Sequence, residues 1–182
     1  MPAPSLTQRV ETWRRRALGR PRTAIAYRRI LVPVLDNPES RKAVEVACRL
    51  AGERRTLLAA ITVIEVPELL PLDAHMIEEE EDARRLLDRV EAAGESYGIA
   101  VSTGILRARE AATAIVDKAE AIDAEIVVIG STRSGRAPVF GRTVREVLSK
   151  APCRVMVLAS SPEGPSPRQG VTRPSDLRQA GA

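Results

Sequence analysis

The chain has 182 residues, of which 44% are hydrophobic, 29% are charged and only 2% are aromatic. It contains no apolar run of about 18 residues or more, which excludes a membrane-spanning helix, and its two cysteines and one histidine exclude a disulfide framework and a clustered zinc site. The formal net charge of +4 suggests an anionic partner until the charges are located along the chain.

The positive charge is concentrated at the amino-terminal end. Residues 1–29 contain eight arginines and one glutamate, a net charge of +7, whereas residues 30–160 carry −4 and residues 161–182 carry +1. The acidic central region lacks the basic, aromatic surface that is typical of nucleic-acid binding. The sequence therefore predicts no nucleic-acid partner.

The amino-terminal leader has the periodicity of a helix. Leu6, Val10, Trp13 and Ala17 recur at spacings of four, three and four residues, which places them on one face with arginines on the others. A basic amphipathic segment of this kind favours an anionic membrane surface or docking on a partner, and it also resembles an organelle transit peptide. A solvated arm is the alternative, because so short a helix is marginal on its own.

The first half of the central region alternates between apolar runs and amphipathic stretches. Residues 30–34 (ILVPV) predict a strand. Asn37 suits an N-cap and Pro38 the first position of a helix that runs to about residue 51. Residues 56–64 predict a buried second strand, and residues 75–97 predict a long helix whose acidic start suits the helix dipole.

The second half repeats this alternation. Residues 99–106 predict a third strand, residues 110–122 a third helix, and residues 125–129 (EIVVI) a fourth strand that is apolar throughout, as parallel strands are. A fourth helix follows and ends at Pro152, and residues 154–158 (RVMVL) predict the last strand.

Five strands separated by four helices predict an α/β fold with an open parallel sheet and right-handed crossovers. One domain, residues 27–160, accounts for these elements, and residues 1–26 form the basic leader. Residues 161–182 are rich in proline, glycine and serine, and we expect them to be disordered.

In an open parallel sheet, ligands bind beyond the carboxyl ends of the strands. Asp36 follows the first predicted strand, and a glycine- and serine-containing loop, residues 130–141, follows the fourth. Arg133, Arg136 and Arg142 add positive charge, and the next helix would begin near this loop, which favours a phosphate or another anion. A purely structural loop is the alternative, since neither a Walker A loop nor a dinucleotide fingerprint is present.

Residues 27–160 resemble a universal stress protein domain. The likeness is carried by residues 29–36 (RILVPVLD) and residues 127–158, and the ending VLSKAPCRV, residues 147–155, is particularly characteristic. The resemblance implies a flavodoxin-like, Rossmann-like sheet in the order 3-2-1-4-5 with helices on both faces. It also implies homodimers that form through the last strand. Some members of this family bind ATP or AMP, whereas others do not, so the resemblance leaves both possibilities open.

The ATP-binding members have the motif Gly-x2-Gly-x9-Gly-Ser/Thr after the fourth strand. Here Gly130 and Gly141 match the first and last glycines, but ten residues separate them where the family pattern has twelve. Arg133 stands at the middle glycine and Arg142 at the Ser/Thr position. The resemblance implies that Asp36 faces the nucleoside. The other nucleotide-binding positions are Val63, which would contact adenine through its backbone, Gly130 and Gly141, which would contact the phosphates, and Ser131, Arg133, Gly135, Arg142 and Thr143.

These features predict a cytoplasmic, homodimeric stress-response protein that binds ATP, with magnesium, or AMP as a regulatory ligand. The alternative is a module without nucleotide that residues 6–18 tether to the inner membrane surface or to a transporter, since domains of this family also occur fused to transporters. We expect no enzyme, because no nucleophile is paired with a base and His75, near a helix start, is poor material for catalysis.

Overall fold

The computed structural model describes residues 27–51, 56–132 and 140–160, and these contain five strands that alternate with four helices. In chain order the elements are β1 (Arg29–Pro33), α1 (Pro38–Leu50), β2 (Leu57–Glu65), α2 (Ile77–Ser96), β3 (Val101–Ala108), α3 (Ala111–Ala121), β4 (Ile126–Thr132), α4 (Arg142–Lys150) and β5 (Arg154–Ser160). The predicted alternation is confirmed. The leader, the carboxyl-terminal tail and Arg136 lie outside the described residues.

All the strands of the described sheet are parallel, and their order is β3-β2-β1-β4-β5, as the resemblance implied. β4 is longer than predicted. Its pairing with β5 continues through Gly130, Ser131 and Thr132, which were expected in the following loop. The strand order reverses between β1 and β4, since β1 connects to β2 on one side and the chain later returns to β4 on the other.

Two hydrophobic cores lie on opposite faces of the sheet, because alternate residues of β1 point to opposite sides. Ile30 and Val32 pack with α1 and α2, and Cys48 of α1 is a buried member of that core. Leu31 packs with residues of α3 and α4 on the other face. Burial on both faces explains the continuous apolar run in the sequence, since each fully buried Ile, Leu or Val contributes about 1.5–3 kcal/mol.

The junction of β1 and α1 is fixed by short-range hydrogen bonds. Asn37 is the N-cap of α1, and its Oδ1 accepts a hydrogen bond of 2.7 Å from the backbone N–H of Ser40. The buried Ser40 Oγ accepts another, of 3.0 Å, from the backbone N–H of Leu35.

Within the described residues, no helix is long and apolar enough to cross a membrane.

Candidate functional site

A cleft of about 250 Å³ opens at the carboxyl edge of the sheet, where the strand order reverses. This is the edge at which ligands bind in open α/β sheets. The cleft walls are largely apolar, and its polar groups come from the ends of β2, β4 and the first turns of α1 and α4. The lining residues that matter for its chemistry are Val34, Ser40, Val63, Glu65, Ile129, Gly130 and Thr143.

Gly130 of β4 lines this cleft, at a position that has no room for a side chain. A Cβ atom placed there would lie 2.5 Å from the carbonyl carbon of Glu39 and 2.6 Å from the backbone nitrogen of Ser40. The first turn of α1 therefore packs directly against β4 at this position. Ser131, the next residue of β4, is buried.

Gly141 differs from Gly130 in its surroundings. It is the N-cap of α4 with φ −58° and ψ 164°, and a Cβ atom there would meet no atom within 4 Å. Among the described residues no side chain caps α4, and its first turn contains no acidic residue. Thr143, in that first turn, lines the cleft. The start of α4 thus offers backbone N–H donors and a hydroxyl group beside the cleft.

Arg142 already has two carboxylate partners. Its guanidinium pairs with Glu110 at the start of α3 and donates to Glu146 Oε1 at 3.0 Å, one turn along α4. The hydrogen bond to Glu146, with the negative charge of Glu110, raises the pKa of Arg142. The charge of Arg142, the one loop arginine of the three among the described residues, is therefore balanced by Glu110 and Glu146.

Glu65 is a cleft residue that the sequence interpretation missed. It ends β2, lines the cleft, and its Oε1 accepts a hydrogen bond of 2.8 Å from the backbone N–H of Ala111 at the start of α3. A second hollow of about 430 Å³ continues from the cleft past Glu65 and Thr143 to Glu110 and Arg142. The only signal for Glu65 in the sequence was its position directly after the second predicted strand, residues 56–64.

Asp36 lies beside the cleft rather than in its wall. Its carboxylate is 3.0 Å from Nη2 of Arg89 in α2 and 3.4 Å from Nη1 of Arg41 in α1, and its side chain is 61% exposed. It lines a neighbouring groove of about 660 Å³ between the end of β2 and the start of α2. Leu35 and Val63 line both the groove and the cleft.

The structure therefore brings together Val63, Gly130 and Thr143 around the cleft, with Ser131, Gly141 and Arg142 near it and Asp36 in the adjoining groove. Arg133 and Gly135 lie outside the described residues. No group of three or more His, Cys, Asp or Glu side chains in the described ranges is arranged to hold a metal ion.

A sequence profile described as the Universal stress protein family matches residues 26–159. Solved structures share the fold. A universal stress protein from Archaeoglobus fulgidus is 21% identical with a TM-score of 0.62, and the match covers 73% of this chain and 94% of that one. No protein of curated function matches the sequence significantly.

Two further structures with this fold contain nucleotides. The universal stress protein from Archaeoglobus fulgidus in complex with dAMP is 22% identical, with a TM-score of 0.59 and coverage of 72% of this chain and 98% of that one. A universal stress protein in complex with cAMP is 18% identical, with a TM-score of 0.60 and coverage of 75% and 99%.

Proposed function

The chain belongs to the universal stress protein family, and from that premise we propose that it is a regulatory protein that binds an adenine nucleotide, AMP or ATP, in the cleft. The observation that carries the proposal is the juxtaposition of an apolar cleft at the strand-order reversal with the start of α4, which no side chain of the described residues caps. The dAMP and cAMP complexes of two proteins with this fold support it.

The apolar end of the cleft suits the base. The carbonyl oxygen of Ile61 accepts a hydrogen bond of 2.8 Å from the backbone N–H of Val34, so the main chain of Ile61 faces β1. Main-chain groups alternate sides along a strand, and Val63 therefore directs its N–H and C=O to the same side, where β1 has ended. These groups provide one donor and one acceptor for the edge of adenine, while Val34 and Ile129 provide apolar contact.

The charges around the cleft favour the monophosphate. Glu65 lies in the cleft wall, and the charge of Arg142 is shared between Glu110 and Glu146. A triphosphate would bring several more negative charges close to these carboxylates, and like charges repel. One phosphate at the start of α4 meets N–H donors without that cost. ATP would therefore need magnesium, or the arginines of residues 133–139, to offset the repulsion.

Calorimetric titration with AMP, cAMP and ATP, each with and without magnesium, tests this proposal. Val63→Phe fills the cleft from one wall, and we expect it to abolish binding, whereas Leu148→Phe, at an exposed position of α4, keeps it. Absence of both heat and thermal stabilisation at millimolar nucleotide would refute nucleotide binding.

We also propose a homodimer formed through β5. This strand is an edge of the sheet, and its residues from Val155 to Leu158 are only partly buried. Unpaired strand edges with apolar side chains readily add another strand. Val157 packs against neither core, so Val157→Lys is expected to give monomers by sedimentation velocity, whereas Leu57→Lys, at a partly exposed position of β2, keeps the dimer.

Binding rather than catalysis is our proposal for the domain, and the cytoplasm is the compartment we propose for it. Tethering to a membrane or a transporter through residues 6–18 remains a prediction from the sequence, because those residues lie outside the described ones. Flotation with anionic vesicles tests it, and vesicle binding that weakens as salt is added would support this alternative.

A further inference from the structure

A cluster of exposed apolar side chains lies on the segment between β2 and α2. Leu69 is 97% exposed and Ile77 is 66% exposed, while Leu70 and Leu72 are exposed by 42% and 48%. Scattered exposed apolar residues need no explanation, but four within nine positions form a patch. We call residues 67–76 the leucine loop.

The leucine loop is held in place from beneath. Arg109, which follows β3, donates hydrogen bonds from Nη1 to the carbonyl oxygens of Val66 and Pro67 and from Nη2 to that of Leu70, the last at 2.7 Å. The loop adds two turns of its own, in which Leu70 N–H donates to Pro67 and Ala74 N–H to Pro71, both at 3.0 Å. A loop fixed in this way presents its leucines with little further loss of entropy on binding.

Beside the leucine loop runs the groove of about 660 Å³ that contains Asp36, which we call the α2 groove. Its apolar residues include Leu35, Pro67, Met76 and Leu86, so it continues the apolar surface of the loop. It is wide enough for a large side chain. The dimensions and chemistry resemble the grooves that receive one face of an amphipathic helix.

The rim of the α2 groove is acidic. Asp36, Glu79 and Asp82 line it, and Glu78 and Glu81 stand on the same first turns of α2. Two arginines also line it, Arg85, which pairs with Glu81 and Asp82, and Arg89, which pairs with Asp36. The acids outnumber these arginines, so the rim keeps a net negative charge after the pairings are counted. The surface therefore joins an apolar centre to an excess of negative charge.

One segment of this chain has the complementary chemistry. We propose that residues 5–18 of the leader bind the α2 groove of the same chain, with Trp13 in its apolar centre and the leader's arginines against the acidic rim. Residues 5–18 contain the chain's only tryptophan, an apolar face at helical spacing, and four arginines against one glutamate, a net charge of +3. Tryptophan buried in a pocket is a frequent anchor of such contacts.

The length of the connection permits this contact within one chain. Tyr27 stands at the amino end of β1 and Leu35 at the groove, eight residues along an extended strand, or about 26 Å. The chain must also pass around the helices that cover β1, so its path is longer than this straight line. Residues 19–26, when extended, reach at most about 29 Å, and residues 14–18 add about 8 Å if helical, which brings Trp13 within reach of the groove. A short tether also raises the effective concentration to the order of millimolar, so that even a weak contact is occupied.

The single tryptophan gives a direct test in the full-length protein. At low salt we expect the emission of Trp13 to be shifted to the blue and its quenching by acrylamide to be reduced, compared with the same protein in denaturant. Added salt is expected to reverse both changes, because it screens the contacts between the arginines and the acidic rim. Emission that matches the denatured chain at every salt concentration would overturn the proposal.

A matched pair of variants locates the contact. Glu79→Lys with Asp82→Lys reverses two charges on the groove rim, and we expect Trp13 to become exposed. Asp117→Lys with Glu120→Lys makes the same change on exposed positions of α3, across the sheet, and leaves the Trp13 emission as it was. Circular dichroism establishes that both variants fold, and the salt titration of the unchanged chain stands independently of them. Equal effects of the two pairs would contradict the proposal.

Two further measurements separate this contact from other occupants. A blue shift that depends on protein concentration, or that an excess of the Trp13→Phe protein removes, would assign the leader to a second copy of the chain. A blue shift that arises only with phosphatidylserine vesicles would assign it to a membrane. Either result overturns binding to the groove of the same chain, whereas a concentration-independent shift without vesicles supports it.

Discussion

Two helices start beside the cleft in contrasting ways. α1 begins four residues after β1 with Asn37 as its cap, Pro38 in its first position and Glu39 in its first turn. α4 begins nine residues after β4 at Gly141, with no capping side chain among the described residues and no acid in its first turn. The Ser40 N–H at the start of α1 is satisfied by Asn37, whereas no side chain among the described residues caps the first N–H groups of α4. Under our proposal the α4 junction receives the ligand, and the α1 junction contributes to stability.

The largest effect should come from the glycine on which α1 packs. Gly130→Ala places a methyl group within 2.6 Å of backbone atoms of Glu39 and Ser40, so the start of α1 must move away from the sheet. We expect a loss of about 1–3 kcal/mol in the free energy of unfolding, measured by urea denaturation. Gly141→Ala has open space and is expected to cost less than about 1 kcal/mol, chiefly through helix capping. Equal losses would remove the distinction between the two glycines.

The cap of α1 should have an intermediate effect. Asn37→Ala removes the acceptor of the Ser40 N–H and is expected to lower the free energy of unfolding by about 1 kcal/mol. Asn37→Asp keeps the acceptor and is expected to restore most of that loss. A result in which the two variants are equally destabilised would show that the cap contributes little to the junction.

A capping side chain at the start of α4 should raise the stability of the protein and lower its affinity for nucleotide. Gly141→Asp supplies an acceptor for the first N–H groups of α4, and its φ of −58° suits an ordinary residue. We expect stability to rise by about a few tenths of a kcal/mol. Nucleotide affinity, measured by calorimetry, should fall, because the carboxylate occupies the donors and repels phosphate. Gly141→Ala serves as the control without a charge. Unchanged affinity in the aspartate variant would place the phosphate elsewhere.

Local sequence patterns were sufficient to predict the strands and helices, because both faces of β1 are buried and the helices have apolar faces. The end of β4 was missed, since Gly130 is typical of a loop, while its pairing with Leu158 of β5 depends on a distant segment. The strand order came from the family resemblance, not from periodicity.

The charges of the site could not be predicted from local patterns. Glu65 bonds to Ala111, 46 positions away, and Arg142 pairs with Glu110, 32 positions away. A sequence window around residues 130–142 contains Arg142 without its partner Glu110, and it therefore overstates the positive charge that this arginine contributes. Asp36 was similarly separated in sequence from Arg89, which holds it in the α2 groove.

The smallest predicted effect concerns the exposed ion pair of α4. The hydrogen bond from Arg142 lowers the pKa of Glu146. A pKa that is lower in the folded state contributes stability that is fully present above the unfolded value of about 4.3 and is lost as the pH falls through the folded value. Glu146→Gln should therefore lose less stability than the unchanged protein between pH 7 and pH 3, as measured by urea denaturation. Arg142→Met removes the same hydrogen bond and should reduce the pH dependence in the same direction. If only Glu146→Gln reduced the pH dependence of stability, the hydrogen bond from Arg142 would not be the cause of the lowered pKa of Glu146.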